Sequence, residues 1–436
     1  MVKKVILHLG HLKTGTTSIQ ETLFENSDIL QENGFYYLAE WMYRNAQIRV
    51  MEHIVSVPGC RSMKNLNNMA SESEMANVRE EKLAELARVM QVSQCDTLII
   101  SAEIVWSLFE QRCVNLLQDL ISKHFSGVEV KILLFVRNPL HYYISLYQHY
   151  QRMATFNDVN THNCDYCSQH IYQYVKTTEN IRNYFGQYAK FIKFEDAVKD
   201  SQGLVSYYLK SIDFPAENLQ KLKIIKSNEA SCQETMDFLE YASDKKYSGR
   251  YYYDARFLGE IKGTKYDLAY PEKLSLWNSD VMQDAVRKIQ EITGIDYSDY
   301  TETLEAEREE ARERALQETW RQETIDGFIA AFPKLSPTLQ KLFLEFFQYK
   351  YAQTANAKFK QLYFVGSLPR DIWNALEKAR STAKVVAASS AETNVPVSRL
   401  SWKIKRAIKK PLQWVLYRLP ERWRPFLRRT WTRLIR

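Results

Sequence analysis

Residues able to act on a charged group cluster first at Gly10-His11-Leu12-Lys13-Thr14-Gly15-Thr16-Thr17-Ser18. An apolar run, Val5 to Leu9, precedes them and a helix-like segment follows. A glycine turn at a helix N-terminus aims backbone N–H groups at one point, which suits an anion. Gly10 and Gly15 let a ligand come close to the backbone; Thr16, Thr17 and Ser18 add hydroxyl donors. The glycine separation matches a nucleotide loop of the form G-x-x-x-x-G-K-[ST], but Thr16 stands where that loop requires lysine. Lys13, inside the turn, is the loop's one lysine. A kinase or NTPase needs the missing lysine on its terminal phosphates, so its absence argues against a standard member of either class. Two further groups stand at the ends of strand-like runs: Glu103, in Ser101-Ala102-Glu103 after Thr97 to Ile100, and Arg137-Asn138-Pro139 after Val128 to Val136.

The elements that must position these groups alternate along residues 1–300. Strands are expected at Val5–Leu9, Thr97–Ile100, Val128–Val136 and Lys190–Phe194. Helices are expected at Thr17–Gln31, Glu80–Gln91 and Val114–Phe125. Strands separated by helices predict an α/β fold with a P-loop-like parallel sheet flanked by helices, whose ligands collect at the carboxyl ends of the strands. Residues 301–382 read as a helical extension, with Glu302 to Gln322 rich in Glu, Arg and Ala and free of Gly and Pro. Residues 383–397 read as a linker and 398–436 as a basic amphipathic tail.

Lys13-Thr14-Gly15-Thr16-Thr17-Ser18 resembles the 5′-phosphosulfate loop of sulfotransferases that use 3′-phosphoadenosine 5′-phosphosulfate (PAPS), and His8 to Gln20 is similar to the form in bacterial members. The family's second motif, an arginine with a serine eight positions later, is matched by Arg137 and Ser145. Ile192-Lys193-Phe194-Glu195-Asp196 resembles the short strand and acidic turn that follow; Ser227 to Ser231 is a looser match. The resemblance covers about residues 5–300. It implies an α/β sheet, PAPS as donor, no metal requirement, and sulfuryl transfer to a hydroxyl, with a carbohydrate or lipid-linked glycan as the expected acceptor.

It also implies roles. Lys13 would stabilise the charge that develops on the bridging oxygen, and the loop Lys13 to Ser18 would hold the 5′-phosphosulfate. Arg137 and Ser145 would bind the 3′-phosphate, for which an arginine fork is suited. The acceptor hydroxyl needs a base. Family members use His or Glu; here Glu103, at a strand's carboxyl end, is the first choice and His11, within the loop, the second. Glu103 reads equally as a helix N-terminal acid with Ser101 as cap. His8 lies inside a strand and reads as a core histidine. His162, Cys164, Cys167 and His170 are zinc-type ligands, but four within nine residues of one segment wrap an ion poorly. The run Tyr251-Tyr252-Tyr253 reads as packing.

Bulk properties agree with a folded protein of more than one unit: 436 residues, 45% hydrophobic, 25% charged, with no apolar run near the roughly 18 residues that span a bilayer. The chain opens straight into its first strand, so a cytoplasmic, reducing setting with free cysteines is expected. Charge is segregated. Residues 401–436 carry twelve Lys/Arg and Glu421, a net of +11 within a total of +7, so the remainder is −4. Trp402, Trp414, Trp423 and Trp431 lie there with an apolar stripe of Ile404, Ile408, Leu412, Val415 and Leu419 and a basic face of Lys403, Arg406 and Lys410. That combination predicts a helix on an anionic membrane surface, in preference to nucleic acid or the chain's own acidic body. Two other functions remain open at this stage: a kinase with a degenerate loop, and a non-catalytic membrane adaptor.

Overall fold

The computed structural model describes residues 1–38, 51, 54–55, 72–103, 105–153, 164–226, 231–244, 257–259, 261–264, 266–268, 270–307, 322–336, 338–343 and 345–346. All belong to a compact unit that spans residues 1–363. Its centre is an all-parallel sheet of β1 (Lys4–Leu9), β2 (Phe35–Tyr37), β3 (Thr97–Ala102), β4 (Glu129–Val136) and β5 (Ala189–Lys193), in the order β2-β3-β1-β4-β5. Every residue of β3 is buried, as are five of the six in β1. Such uninterrupted apolar strands belong to sheets covered on both faces.

Helices α1 (Thr16–Glu25), α2 (Ser27–Glu32), α3 (Glu72–Val92), α4 (Gln111–Asp119), α5 (Pro139–Met153), α6 (Cys164–Phe185), α7 (Phe194–Lys199) and α8 (Gly203–Ser211) join and flank the strands. Beneath one face, Ile6, Ile99, Leu133, Phe135 and Ile192 pack against Ile19 and Leu23 of α1 and Val205, Tyr208 and Leu209 of α8. The register aligns Leu9 with Ala102 and His8 with Leu133. The loops after β1, β3 and β4 therefore leave the same edge of the sheet. After β1 the chain crosses to one side, and after β4 to the other. These two neighbours form the switch point where open parallel sheets take ligands.

Sequence expectation and structure differ in places. One helix was expected over Thr17–Gln31; two are present, meeting at Asn26. Its Nδ2 donates to the carbonyls of Thr22 (2.7 Å) and Lys223 (3.0 Å), and its Oδ1 accepts from the Lys223 N–H (2.9 Å). A segment about 200 residues away thus sets the break. The expected Val114–Phe125 helix starts earlier, at Gln111, and its last turn, Leu120–His124, widens to π geometry. The expected Glu80–Gln91 helix begins eight residues earlier, at Glu72. The edge strand β2 carries no periodic signal, being three residues long.

Beyond α8 come α9 (Gln233–Asp244), α10 (Tyr270–Trp277), α11 (Asp280–Thr293) and α12 (Gln322–Ala331). Phe343 packs edge-on to Phe238 of α9 at 5.0 Å and beside Phe328 of α12 at 5.1 Å. The described part of the helical extension therefore builds on the same unit as the sheet. Residues 300–307 are helical, and the rest of the Glu302–Gln322 expectation lies outside the described residues, as do the linker 383–397, the tail 398–436, Tyr251 to Tyr253 and Ser227 to Ala230. Among the described residues no helix is long and apolar enough to cross a membrane.

Candidate active site

The loop after β1 is tightly determined. The Gly10 N–H donates to the Ala102 carbonyl at 3.1 Å, so the chain leaves the sheet still paired to β3. A Cβ on Gly10 would lie 2.0 Å from Thr16 Cγ2, so only hydrogen fits there. Lys13 and Gly15 both adopt left-handed backbone, with φ of 66° and 75°. Glycine takes that conformation freely, whereas for lysine it costs about 1–2 kcal/mol. The Thr14 hydroxyl donates to the His11 carbonyl at 2.7 Å and braces the turn. α1 starts at Thr16 with Gly15 as its N-cap, no side-chain cap and no acidic residue in the first turn. Its N–H groups, with half-buried Thr17 and Ser18 among them, form an end of positive potential. Gly15→Ala should lower stability by about 1–3 kcal/mol, because its Cβ would meet Leu204 Cδ2 at 2.1 Å in a left-handed residue. Chemical denaturation reads this directly, and an unchanged midpoint would mean the turn is not built as described.

Glu103 stands at the end of β3, and its Oε1 accepts a hydrogen bond from the Thr16 hydroxyl. A Cβ on Gly10 would lie 3.6 Å from Glu103 Cγ, so the acid lies over the loop. Burial pushes its carboxyl up to about 7, and the charge of Lys13 pulls the other way. Lys13 itself is half-buried. The loop cation and the acid thus act on each other, although ninety residues separate them in sequence.

Arg137 ends β4 and crosses back to the same loop. Its Nη1 donates to the Lys13 carbonyl at 2.8 Å, and its guanidinium lies over the Phe194 ring, 5.0 Å from the centroid. Its Nε is buried, with no hydrogen-bond partner among the described residues. Burial lowers the guanidinium pKa, and the Glu195 charge opposes that. Asn138 then starts α5: its Oδ1 accepts from the N–H groups of Leu140 (2.9 Å) and His141 (3.4 Å), with Pro139 as the first helical residue. Glu195 Oε1 accepts from the Asn138 N–H at 2.9 Å, and the Tyr297 hydroxyl lies 2.8 Å from the Val136 carbonyl and 3.2 Å from Glu195 Oε2. Burial would raise the Glu195 pKa; His141 and the Asn138 N–H outweigh it and hold the carboxyl below its ordinary range. Ser145 sits half-buried about two turns into α5, and among the described residues no hydrogen bond joins it to Arg137.

The two histidines nearest the loop are both buried. His11 is buried, with its ring 4.5 Å from that of Tyr174 and its Nε2 3.1 Å from the Thr178 hydroxyl. That hydroxyl donates to the Tyr174 carbonyl at 2.8 Å, so the His11 Nε2 carries the hydrogen between them. Burial lowers its pKa to about 3. With its hydrogen on Nε2 the ring braces the loop against α6, and burial makes it a weaker base than a free imidazole. His8 is wholly buried, 2.8 Å from the Ser101 hydroxyl, as expected of a core histidine.

Lys13, Glu103 and Arg137 therefore meet at the carboxyl ends of three adjacent strands. Phe194 and Tyr174, which complete the surroundings of Arg137, were not singled out from the sequence. Phe194 lay within a quoted motif, whereas Tyr174 carries no local signal. Of the zinc-type ligands, Cys164, Cys167 and His170 fall on α6 and His162 lies outside the described residues. Among the described residues no group of three or more His, Cys, Asp or Glu could hold a metal ion. No family model, curated protein or solved structure matches this chain.

Proposed function

We propose that this chain transfers a sulfuryl group from PAPS to a hydroxyl on a carbohydrate or lipid-linked glycan. The observation that carries the proposal is the meeting of the loop cation Lys13, the near-neutral acid Glu103 and the half-buried Arg137 at one sheet edge. Lys13 and the first-turn N–H groups of α1 supply fixed positive potential for a 5′-phosphosulfate. Arg137, with an unpartnered buried Nε, supplies a second anion contact for the 3′-phosphate, with Ser145 on the helix that follows. In the transfer, the acceptor oxygen bonds to sulfur while the bond from sulfur to the bridging oxygen breaks. The bridging oxygen keeps the electron pair as a phosphate oxygen of PAP (the desulfated donor), opposite Lys13. The acceptor proton passes to the Glu103 carboxylate. Transfer of labelled sulfate from PAPS to a panel of cell-envelope glycans tests the proposal; a panel with no acceptor would leave a binding adaptor as the better account.

One observation favours a kinase instead. A hydroxyl on a carboxylate, as in Thr16 and Glu103, is the kind of pair that holds Mg²⁺ in P-loop NTPases. Against it, Thr16 occupies the place of the phosphate lysine. Titration separates the two: PAP should bind without magnesium and ATP should not, and the reverse would favour the kinase.

Arg137→Ala should weaken PAP by about 10–100-fold, the value of charge-assisted phosphate contacts, and adenosine 5′-phosphosulfate, which lacks the 3′-phosphate, far less. Equal losses would remove Arg137 from the 3′-phosphate. The tail carries the membrane part of the proposal, placing the enzyme at the inner face of an anionic membrane. The full chain should pellet with anionic vesicles, each surface Lys or Arg adding about 1 kcal/mol and the tryptophans keeping part of the binding at high salt. A chain ending at Val397 should stay unbound and still sulfate a small acceptor. Equal pelleting of both chains, or a preference of the full chain for RNA, would remove the membrane role.

A further inference from the structure

One tyrosine, 37 residues beyond Arg137 in sequence, holds both main-chain groups of that arginine. The Tyr174 hydroxyl accepts from the Arg137 N–H at 2.9 Å and donates to the Arg137 carbonyl at 2.7 Å. Its ring is fixed on two sides, stacked on Tyr142 at 4.3 Å and tilted against His11 of the loop at 4.5 Å. Tyr174 is 1% exposed, so water does not compete for its hydroxyl as partner of those two main-chain groups. The arginine it fixes reaches on through Nη1 to the carbonyl of Lys13, a residue in left-handed backbone. The Tyr174 hydroxyl thus supplies the partner that the strand ladders do not. The ladder of β4 with β5 ends at Val136, and that with β1 ends earlier, at Leu133, so Arg137 lies beyond both.

We infer that Tyr174 is a positioning residue, which sets the direction of the Arg137 side chain and, through it, the carbonyl of Lys13. Tyr174 touches neither donor nor acceptor; it fixes the distance between the two anion contacts, the loop and the arginine. The inference rests on the reading of Arg137 as the 3′-phosphate contact, and it names a residue that the anion-binding motifs do not contain. A phenol meets the need better than a serine or threonine. Its oxygen stands at the far end of a rigid ring with only two torsions, so little freedom is left once the ring is stacked.

The test uses Tyr174→Phe in the full chain, which removes one oxygen and keeps the stacked ring. PAP affinity should fall at least about tenfold, as expected when two hydrogen bonds to the main chain of Arg137 are lost. Affinity for adenosine 5′-phosphosulfate should change less than about threefold, because that ligand lacks the 3′-phosphate assigned to Arg137. In an Arg137→Ala background the same change should cost less than about twofold, since residues acting through one another are not additive. Equal losses for the two nucleotides, or full additivity, would overturn the inference. Amide exchange supplies a readout that needs no ligand. In Tyr174→Phe, exchange should speed up at Arg137 and over residues 11–16 and stay unchanged in β1 and β3. Arg137→Ala, the second variant, should reproduce the faster exchange over 11–16. If wild-type protein does not distinguish the two nucleotides, the 3′-phosphate reading falls, and exchange alone decides: unchanged rates at Arg137, or a rise throughout the sheet, would overturn the positioning role.

Discussion

Lys13→Ala should lower sulfuryl transfer by about 10²–10³ while PAP binding weakens less than about tenfold. The asymmetry follows from where the charge appears. In bound donor the bridging oxygen is nearly neutral, and in the transition state it takes up the electrons of the breaking bond. A lysine held beside it lowers the energy of the second state far more than the first. The loop fixes where the Lys13 side chain starts: its backbone is left-handed and its carbonyl is held by Arg137. Transient kinetics with saturating PAPS measures the step. Wild-type turnover in the variant would remove the lysine from the transition state. The pH profile supplies a second reading. The Lys13 charge pulls the Glu103 carboxyl downward, so its removal should move the acid limb of the rate profile to higher pH.

Glu103→Gln should leave PAP binding intact and lower transfer by about 10²–10⁴, the usual contribution of a general base. In wild type the rate should fall about tenfold per pH unit below about 7, as the carboxylate takes up its proton. The same group makes a stability prediction of defined sign. Its folded pKa of about 7 lies above the ordinary 4.5, so the folded state binds more protons between these values. Stability therefore declines as pH rises through that window, and the full penalty, at most about 3 kcal/mol, stands above pH 7. Glutamine carries no charge to desolvate, so Glu103→Gln should melt higher than wild type at pH 8 and equally at pH 4. Loss of activity together with gain of stability separates a functional acid from a structural one. If the variant keeps wild-type transfer, or melts lower at pH 8, the base lies elsewhere.

Much of the candidate site was legible because its determinants are local. The Gly10 to Ser18 turn is a matter of glycine at two positions where a side chain would collide or be strained, followed by a helix start. Strands β1, β3 and β4 show as apolar runs since a parallel sheet covered on both faces buries nearly every residue. Arg137-Asn138-Pro139 marks a strand end followed by a capped helix, a signal confined to a few residues. The separation of a basic tail from a mildly acidic body is likewise a property of the chain alone.

Tertiary structure decided which of these groups face one another. Glu103 receives Thr16 across 87 positions, and Arg137 reaches Lys13 across 124. The strand order β3-β1-β4 sets these meetings, and nothing in a residue's neighbours encodes the order in which strands pair. The same holds for His11. Its place in the loop makes it a candidate base; burial against Tyr174 and Thr178, from a helix more than 150 residues on, keeps it uncharged and engages its Nε2. Asn26 breaks its helix only when Lys223 arrives. Sequence thus determined what each segment could become, through backbone sterics and hydrophobic period. Folding determined the pKa of Glu103, the neutrality of His11 and the direction of Arg137, because desolvation and hydrogen bonding depend on neighbours that only the packed chain supplies.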